Sequence, residues 1–531
     1  MGTITMEGDP YYRYSCLSAM SRTPRFFKFA LIAFLAVICL LLVTRNRIYE
    51  TSQLINFKSE TSFDDNIQAI VDSGTAESEA KELQGNEELR QEEEIEDEQA
   101  EDIAEVQAED GGEEQANEVE QKEDPDEPPD DSLPGAYLKY YQPAPTNQSH
   151  CKYNYDLPYD LVYTSKNSQF PPEQGNSSPY RIIYNVIEAY NLMDVPPITY
   201  ATHMTANFAH FIPELLKHWD GLVTVAAFVP DLDVAFFIEQ INQFCYCEPE
   251  MHRVSIHIVT HKMLPFSKKD IYFDRPQDCV PEDSSAVPIF SDYDETIFYP
   301  INVVRNAART SALTKYILLS DSELIPSKGL ASGFLQMVHR VNRTITKEVF
   351  HVPIFEVAEG TVVPEDKSSL VQLIQTKQAV YFHQTTCEHC QKFPNIDQWI
   401  SSASFNEVKP FQTVKRHDPF HRWEPIFIGT NLEPLYSEQL SWEGLQDKMA
   451  QSLEMCLEDY SYTTLDNAFL CHWPGIKTAQ NEGWRESFIE ENEKNYANIV
   501  KGLLERYRDI PACKARFAVT AGVELQPNAA I

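Results

Sequence analysis

Polar and apolar positions divide the chain into stretches of different character. The longest apolar run is Phe26–Val43 (FFKFALIAFLAVICLLLV), 18 residues with Lys28 as its one charge. A helix needs about 20 residues to cross a bilayer, and Lys28 is close enough to one end to reach the interface. The run closes on Leu-Leu-Val-Thr-Arg-Asn-Arg, without the small-x-small site of a cleaved signal peptide, so it reads as an uncleaved anchor. Further along, short apolar runs alternate with helical periodicity. Strands are predicted at Gly221–Val229, Val254–Val259, Tyr316–Leu319 and Val349–Phe355. Helices are predicted at Phe208–Trp219, Asp233–Phe244, Tyr299–Thr310 and Leu330–Val341, with a charged amphipathic helix at Trp484–Tyr507. This alternation argues an α/β fold with a mixed, largely parallel sheet.

Charge changes the picture between the anchor and that body. The 531 residues carry a net charge of −38. Between Ser59 and Ser132, 30 Asp/Glu stand against Lys81, Arg90 and Lys122, which leaves −27 there and −11 elsewhere. So acidic a tract has too little apolar surface to offset its ordering entropy, and it reads as a disordered, self-repelling stem. A calcium sponge is the sharper alternative. The predicted organisation is a cytosolic tail (1–25), a transmembrane signal-anchor (26–43), an acidic stem (44–150), a globular domain (151–519) and a C-terminal tail (520–531). The charge argues against nucleic acid as a partner and leaves the anchor as the membrane contact. Basic residues flank the anchor on both sides, so the positive-inside rule only slightly favours a cytosolic N-terminus. Three sequons, at Asn147, Asn176 and Asn342, need a lumenal location to be glycosylated. Nine of the eleven cysteines follow the anchor. That odd number leaves at least one free, or paired between chains, if the compartment oxidises.

Candidate chemistry concentrates in Lys315–Leu330 (KYILLSDSELIPSKGL). A buried strand ends in Asp321-Ser322-Glu323, then Pro326 and Gly329 turn the chain into a helix. Ligands of open α/β sheets bind beyond the carboxyl ends of strands, and hard divalent cations take oxygen ligands. Asp321 and Glu323 can therefore hold a metal that carries a diphosphate; a plain strand-end turn is the bland alternative. Asp231/Asp233 and Asp292/Asp294 share the spacing but not the context, and Asp231 reads as a helix N-cap. His472, in Leu465–Lys477 (LDNAFLCHWPGIK), is either a third metal ligand or a packed core histidine. Cys387 and Cys390, near His383 and His389, lack a second pair at zinc spacing and read as a disulfide or loop staple.

These segments, in this order, resemble glycosyltransferase family 49, the family of the LARGE-type and beta-1,4-glucuronyltransferase enzymes. The match also takes in Lys217–Ala226, Cys387–Trp399, Trp423–Phe427 and Gly444–Glu454, and covers most of 195–480. The resemblance implies a GT-A fold, a Golgi type II membrane protein, and a UDP-sugar donor, above all UDP-glucuronate. It implies manganese or another divalent cation, and a glycan or glycoprotein acceptor. On that reading Asp321 serves the ribose or metal side, while Glu323 and His472 are metal ligands. Where the family pattern has Asp, this chain has Glu323, one methylene longer. Inversion at the sugar needs a base: Glu424 in Trp-Glu-Pro-Ile-Phe first, Asp447 second, each with a structural carboxylate as the alternative. Arg305 and Arg309, one helical turn apart, suit phosphate or a uronate carboxylate, with helix-surface arginines as the alternative. Lys477 suits the pyrophosphate. Transfer of a different UDP-sugar, a catalytically silent Golgi binding or scaffold protein, and a homo-oligomer all stay open.

Overall fold

The structure is a computed structural model that describes residues 133–154, 179–265, 274–280, 299–341, 346–387, 391–405, 407–416, 420, 423–478 and 483–507. The anchor at 26–43, the acidic tract, Asn176, Asn342, Cys390 and the C-terminal tail lie outside them. Among the described residues no helix is long and apolar enough to cross a membrane.

Thirteen described strands form two sheets. They are β1 (Tyr180–Ile187), β2 (Ile198–Met204), β3 (Leu222–Phe228), β4 (Val254–His261), β5 (Tyr316–Leu319), β6 (Leu324–Pro326) and β7 (Glu348–His351). Then come β8 (Ile354–Val357), β9 (Ala379–Tyr381), β10 (Lys409–Val414), β11 (Phe427–Gly429), β12 (Ser461–Asp466) and β13 (Leu470–His472). The large sheet runs β1-β4-β3-β2-β5-β11-β7-β12-β10 and the small one β6-β13-β8-β9. The parallel pairs of the large sheet are β4-β3, β3-β2, β2-β5 and β7-β12, half of its contacts, so it is mixed but not largely parallel. Antiparallel β11 between β5 and β7 divides the two parallel parts.

Three times the chain steps from the large sheet to the small one: from β5 to β6, β7 to β8 and β12 to β13. The apolar run Val349–Phe355, predicted as one strand, is the second of these steps. Pro353 cannot donate to a ladder, and Val352 N turns instead to the carbonyl of Ile426 at 3.0 Å. The core spans both sheets and buries Trp219, Trp399, Trp423 and Trp473.

Helices α1 (Phe211–His218), α2 (Asp233–Cys247) and α3 (Ile301–Ser311) connect strands of the large sheet. Leu330–Val341 is helical as predicted, and α4 (Met449–Leu457) and α5 (Glu486–Arg506) follow later. Leu232, not Asp231, occupies the N-cap of α2, and no side chain caps it.

The globular body starts before residue 150. A short 3-10 turn at Ala136–Tyr140 buries Tyr137 and Leu138 in the core. Cys151 is disulfide-bonded to Cys245 at the end of α2, and Cys247 to Cys279. Two large apolar side chains are enough to seat a segment whose average composition reads as stem. Cys387 is also disulfide-bonded, in line with the staple reading, and so is Cys456. Cys471 is a buried free thiol.

Candidate active site

The first and third steps between the sheets meet at one corner. Asp321 and Glu323 occupy the step between β5 and β6. His472 ends β13, where it pairs with Leu324 on one side and Glu356 on the other. The Tyr200 hydroxyl from β2 holds the corner by donating to the carbonyls of Asp321 (3.1 Å) and Leu324 (2.6 Å).

His472 lies beside Glu323, with Nε2 3.9 Å from Glu323 Oε1. Its Nδ1 is 3.0 Å from the Gly475 carbonyl, which can only accept, so Nδ1 carries the proton and Nε2 offers a lone pair. Burial pushes the imidazole down to about 3, which keeps it neutral. Two ligands each about 2.1 Å from one cation sit about 3–4 Å apart, so this pair fits a shared divalent ion. Among the described residues no three His, Cys, Asp or Glu side chains converge tightly enough to enclose a cation. A metal here would need further ligands, as is usual where a substrate diphosphate completes the shell. Lys477 Nζ also approaches Glu323 Oε1, at 3.7 Å. Its backbone N–H and that of His383 donate to the buried Glu356 carboxylate at 3.2 and 3.0 Å.

Asp321 is held differently. Its Oδ1 accepts from His203 Nε2 and from Arg305 Nη2, both at 3.0 Å. The other nitrogen of His203 faces the Tyr299 hydroxyl at 2.7 Å. Burial opposes ionisation of Asp321, but Lys448 and Arg305 outweigh it and hold the carboxyl well below its usual range. Arg305 also pairs with Asp447 Oδ2. One buried guanidinium therefore ties Asp321 to Asp447 across 126 residues of sequence. Asp447 is likewise lowered: burial opposes, Lys448 and Arg305 prevail. Glu424 is raised, by burial first, with Lys448 offsetting part of the rise and Asp447 adding to it. Glu424 is half-buried, on the segment that leads into β11.

The structure thus brings together Asp321, Glu323, His472, Lys477, Arg305, Asp447 and Glu424 in one electrostatic cluster. Arg309 does not join them. It is buried like Arg305, so neither is a helix-surface arginine. Its guanidinium donates to the carbonyls of Thr430, Glu433 and Pro434 at 2.7–3.3 Å and pairs with Glu433 at 3.4 Å. Arg309 clamps the 430–434 loop, away from the cluster around Asp321.

The sequence reading missed four members. His203 is the last residue but one of the buried strand β2, a position that signals a site. Lys448 directly follows Asp447 at the N-cap of α4 and lies in the field of Asp447, Asp321 and Glu424. Its ammonium forms no hydrogen bond or ion pair with a described residue. Glu356 carries no local pattern, and His383 stands out only by its nearness to Cys387; the small sheet brings both to His472.

Residues 197–508 match the family described as "Glycosyl-transferase for dystroglycan". The chain belongs to glycosyltransferase family 49. It is 29% identical over 366 residues to Beta-1,4-glucuronyltransferase 1 of Danio rerio, covering 63% of this chain and 81% of that protein. The Homo sapiens protein of the same name is 24% identical over 347 residues, with the same coverage. Xylosyl- and glucuronyltransferase LARGE1 of Homo sapiens is 22% identical over 378 residues, 70% of this chain and 42% of that protein. The solved structure of S. aureus TarS 1-349 overlaps at 10% identity and a TM-score of 0.26, over 59% of this chain and 82% of that one. That likeness is too slight to bear on the fold. The matched region contains every cluster member named above, and with these relatives it supports glycosyltransferase activity.

Proposed function

We propose that this family member is a Golgi type II membrane enzyme of GT-A type. It moves glucuronate from UDP-glucuronate to a glycan acceptor with inversion, using manganese or a similar cation. The observation that carries the reading is the single corner where Glu323 and His472 face each other while Arg305 joins Asp321 to Asp447. Glu323 and His472 would hold the cation, which supplies charge neutralisation for the departing diphosphate. Asp321, fixed by His203 and Arg305, orients the donor from the opposite side. Lys448, and Lys477 beside Glu323, provide the positive charge that a diphosphate and a uronate carboxylate call for. Glu424 takes the proton from the acceptor hydroxyl as the new sugar–oxygen bond forms and UDP leaves. Asp447 is a poor base because Arg305 and Lys448 stabilise its ionised form; its role is to position Arg305.

The test uses the full-length chain purified in detergent. Hydrolysis of a panel of UDP-sugars is followed with manganese, with chelator, and in Glu323→Ala. Manganese-dependent turnover of UDP-glucuronate, lost in the variant and with chelator, is expected. Turnover of a different UDP-sugar would overturn the donor and keep the mechanism. Failure of every donor, together with no manganese-dependent UDP binding, would favour the catalytically silent module.

A further inference from the structure

Four of the six tryptophans are no more than 1% exposed, but Trp442 and Trp484 are 43% and 54% exposed and lie together. Their ring centroids are 6.3 Å apart, with planes inclined by 39°. Arg485 is buried beside both rings, its Cζ 4.0 and 4.5 Å from their centroids. Its Nη1 donates to the carbonyls of Trp442 (2.9 Å) and Glu443 (3.1 Å).

The backbone that presents Trp442 is firmly held. Asn492, buried on α5, donates to the carbonyls of Ser441 (2.8 Å) and Leu445 (2.7 Å) and accepts from Ser441 N (3.1 Å). A Cβ on Gly444 would fall 2.3 Å from Asn492 Cγ, so only glycine fits there. Leu445 and Gln446 have φ of +60° and +58°, a left-handed conformation that non-glycine residues keep only where surrounding contacts impose it. The next two residues are Asp447 and Lys448. Five residues span at most about 18 Å, so Trp442 lies within reach of a short oligosaccharide whose end occupies the cleft.

We infer that Trp442 and Trp484 form a platform for the acceptor glycan, on which neutral β-linked pyranose units lay their C–H faces. This rests on the transferase reading above. The electron-rich face of an indole suits the weakly positive C–H groups of a sugar. Two rings are far too little area for a stable protein partner. Glu486, Glu491 and Glu493 are exposed on the adjoining half of α5, beside the Glu490–Lys494 pair at 2.8 Å, and their excess negative charge repels an anionic membrane or an anionic glycan.

The full-length chain in detergent would be titrated with xylotetraose, cellotetraose and chitotetraose by saturation-transfer NMR, without donor. Wild type, Trp442→Ala, Trp484→Ala, Trp442→Phe and the exposed control Leu432→Ala would be compared, with thermal melting to confirm folding. At least one tetrasaccharide should bind wild type, about tenfold or more weakly to each alanine variant, and unchanged to Leu432→Ala. Trp442→Phe should keep most of the affinity, a rescue that a purely structural role would not show. No binding of any tetrasaccharide to wild type, or alanine variants that bind like wild type, would overturn the platform. Tryptophan-dependent binding without UDP-glucuronate turnover would leave the platform standing and overturn the donor. UDP-glucuronate turnover with tryptophan-independent binding would do the reverse.

Discussion

Arg305 is only 2% exposed and shares its charge between Asp321 and Asp447. Among the described residues Glu424 has no such ion pair, and burial raises its carboxyl. The ionised form is the base, so activity should fall as pH drops through that raised value, on a limb above the ordinary carboxylate range. Glu424→Gln should lower kcat about 100-fold or more and abolish that limb in the pH–rate profile. The linkage runs the opposite way for stability. The folded pKa lies above the unfolded one, so ionisation costs nothing below the unfolded value, and the cost is complete above the folded value. Glu424→Gln should therefore raise the thermal midpoint at pH 7 and leave it unmoved near pH 3. His472, held down to about 3, should contribute no limb between pH 5 and 8 in the free protein.

At the scale of an element, α3 explains why the two arginines part ways. Asn302, Arg305, Asn306 and Arg309 fall at i, i+3, i+4 and i+7, one face of a helix, and all are buried. The asparagines bond the carbonyls of Ser437, Asp447 and Tyr436 at 2.8–3.0 Å. The stripe thus organises residues 430–447 from below, and only Arg305 reaches the carboxylates at the cleft. Arg309→Ala would leave buried Glu433 uncompensated, at a cost of about 3 kcal/mol. Denaturant titration should show that loss with the donor KM unmoved, whereas Arg305→Ala should raise the donor KM. The periodicity of YPINVVRNAART marks a helix, but a polar stripe reads the same from sequence whether it faces solvent or a loop that must be hydrogen-bonded.

For the whole molecule, the apolar run at 26–43 and the acidic tract are read from the sequence alone, and they underlie the proposal of a lumenal body. Asn147 is exposed at the start of that body. The full chain expressed in secretory cells should resist alkaline extraction from membranes and shift in gel mobility on glycosidase treatment. Asn147→Gln should remove one step of that shift. An unshifted protein would overturn the lumenal orientation.

The sequence by itself determined several regular elements, because periodicity and apolar runs are local: β5, the helix at Leu330–Val341, α2 from Asp233 to within three residues of its end, and α5 to within two residues. It also marked the segments that the structure gathers at one corner, because Asp321 and Glu323 directly follow a buried apolar run and His472 ends another. Tertiary structure alone decided how those segments combine. Short strands such as β6, β9 and β13 have too few residues to show a period and exist through their neighbours. The split of Val349–Phe355 between two sheets, the burial of Tyr137 and Leu138, and the separate duties of Arg305 and Arg309 depend on partners far away in sequence. So do the pKa directions that set Glu424 apart from Asp447, because burial and the field of Lys448 arise only once the chain has closed around them.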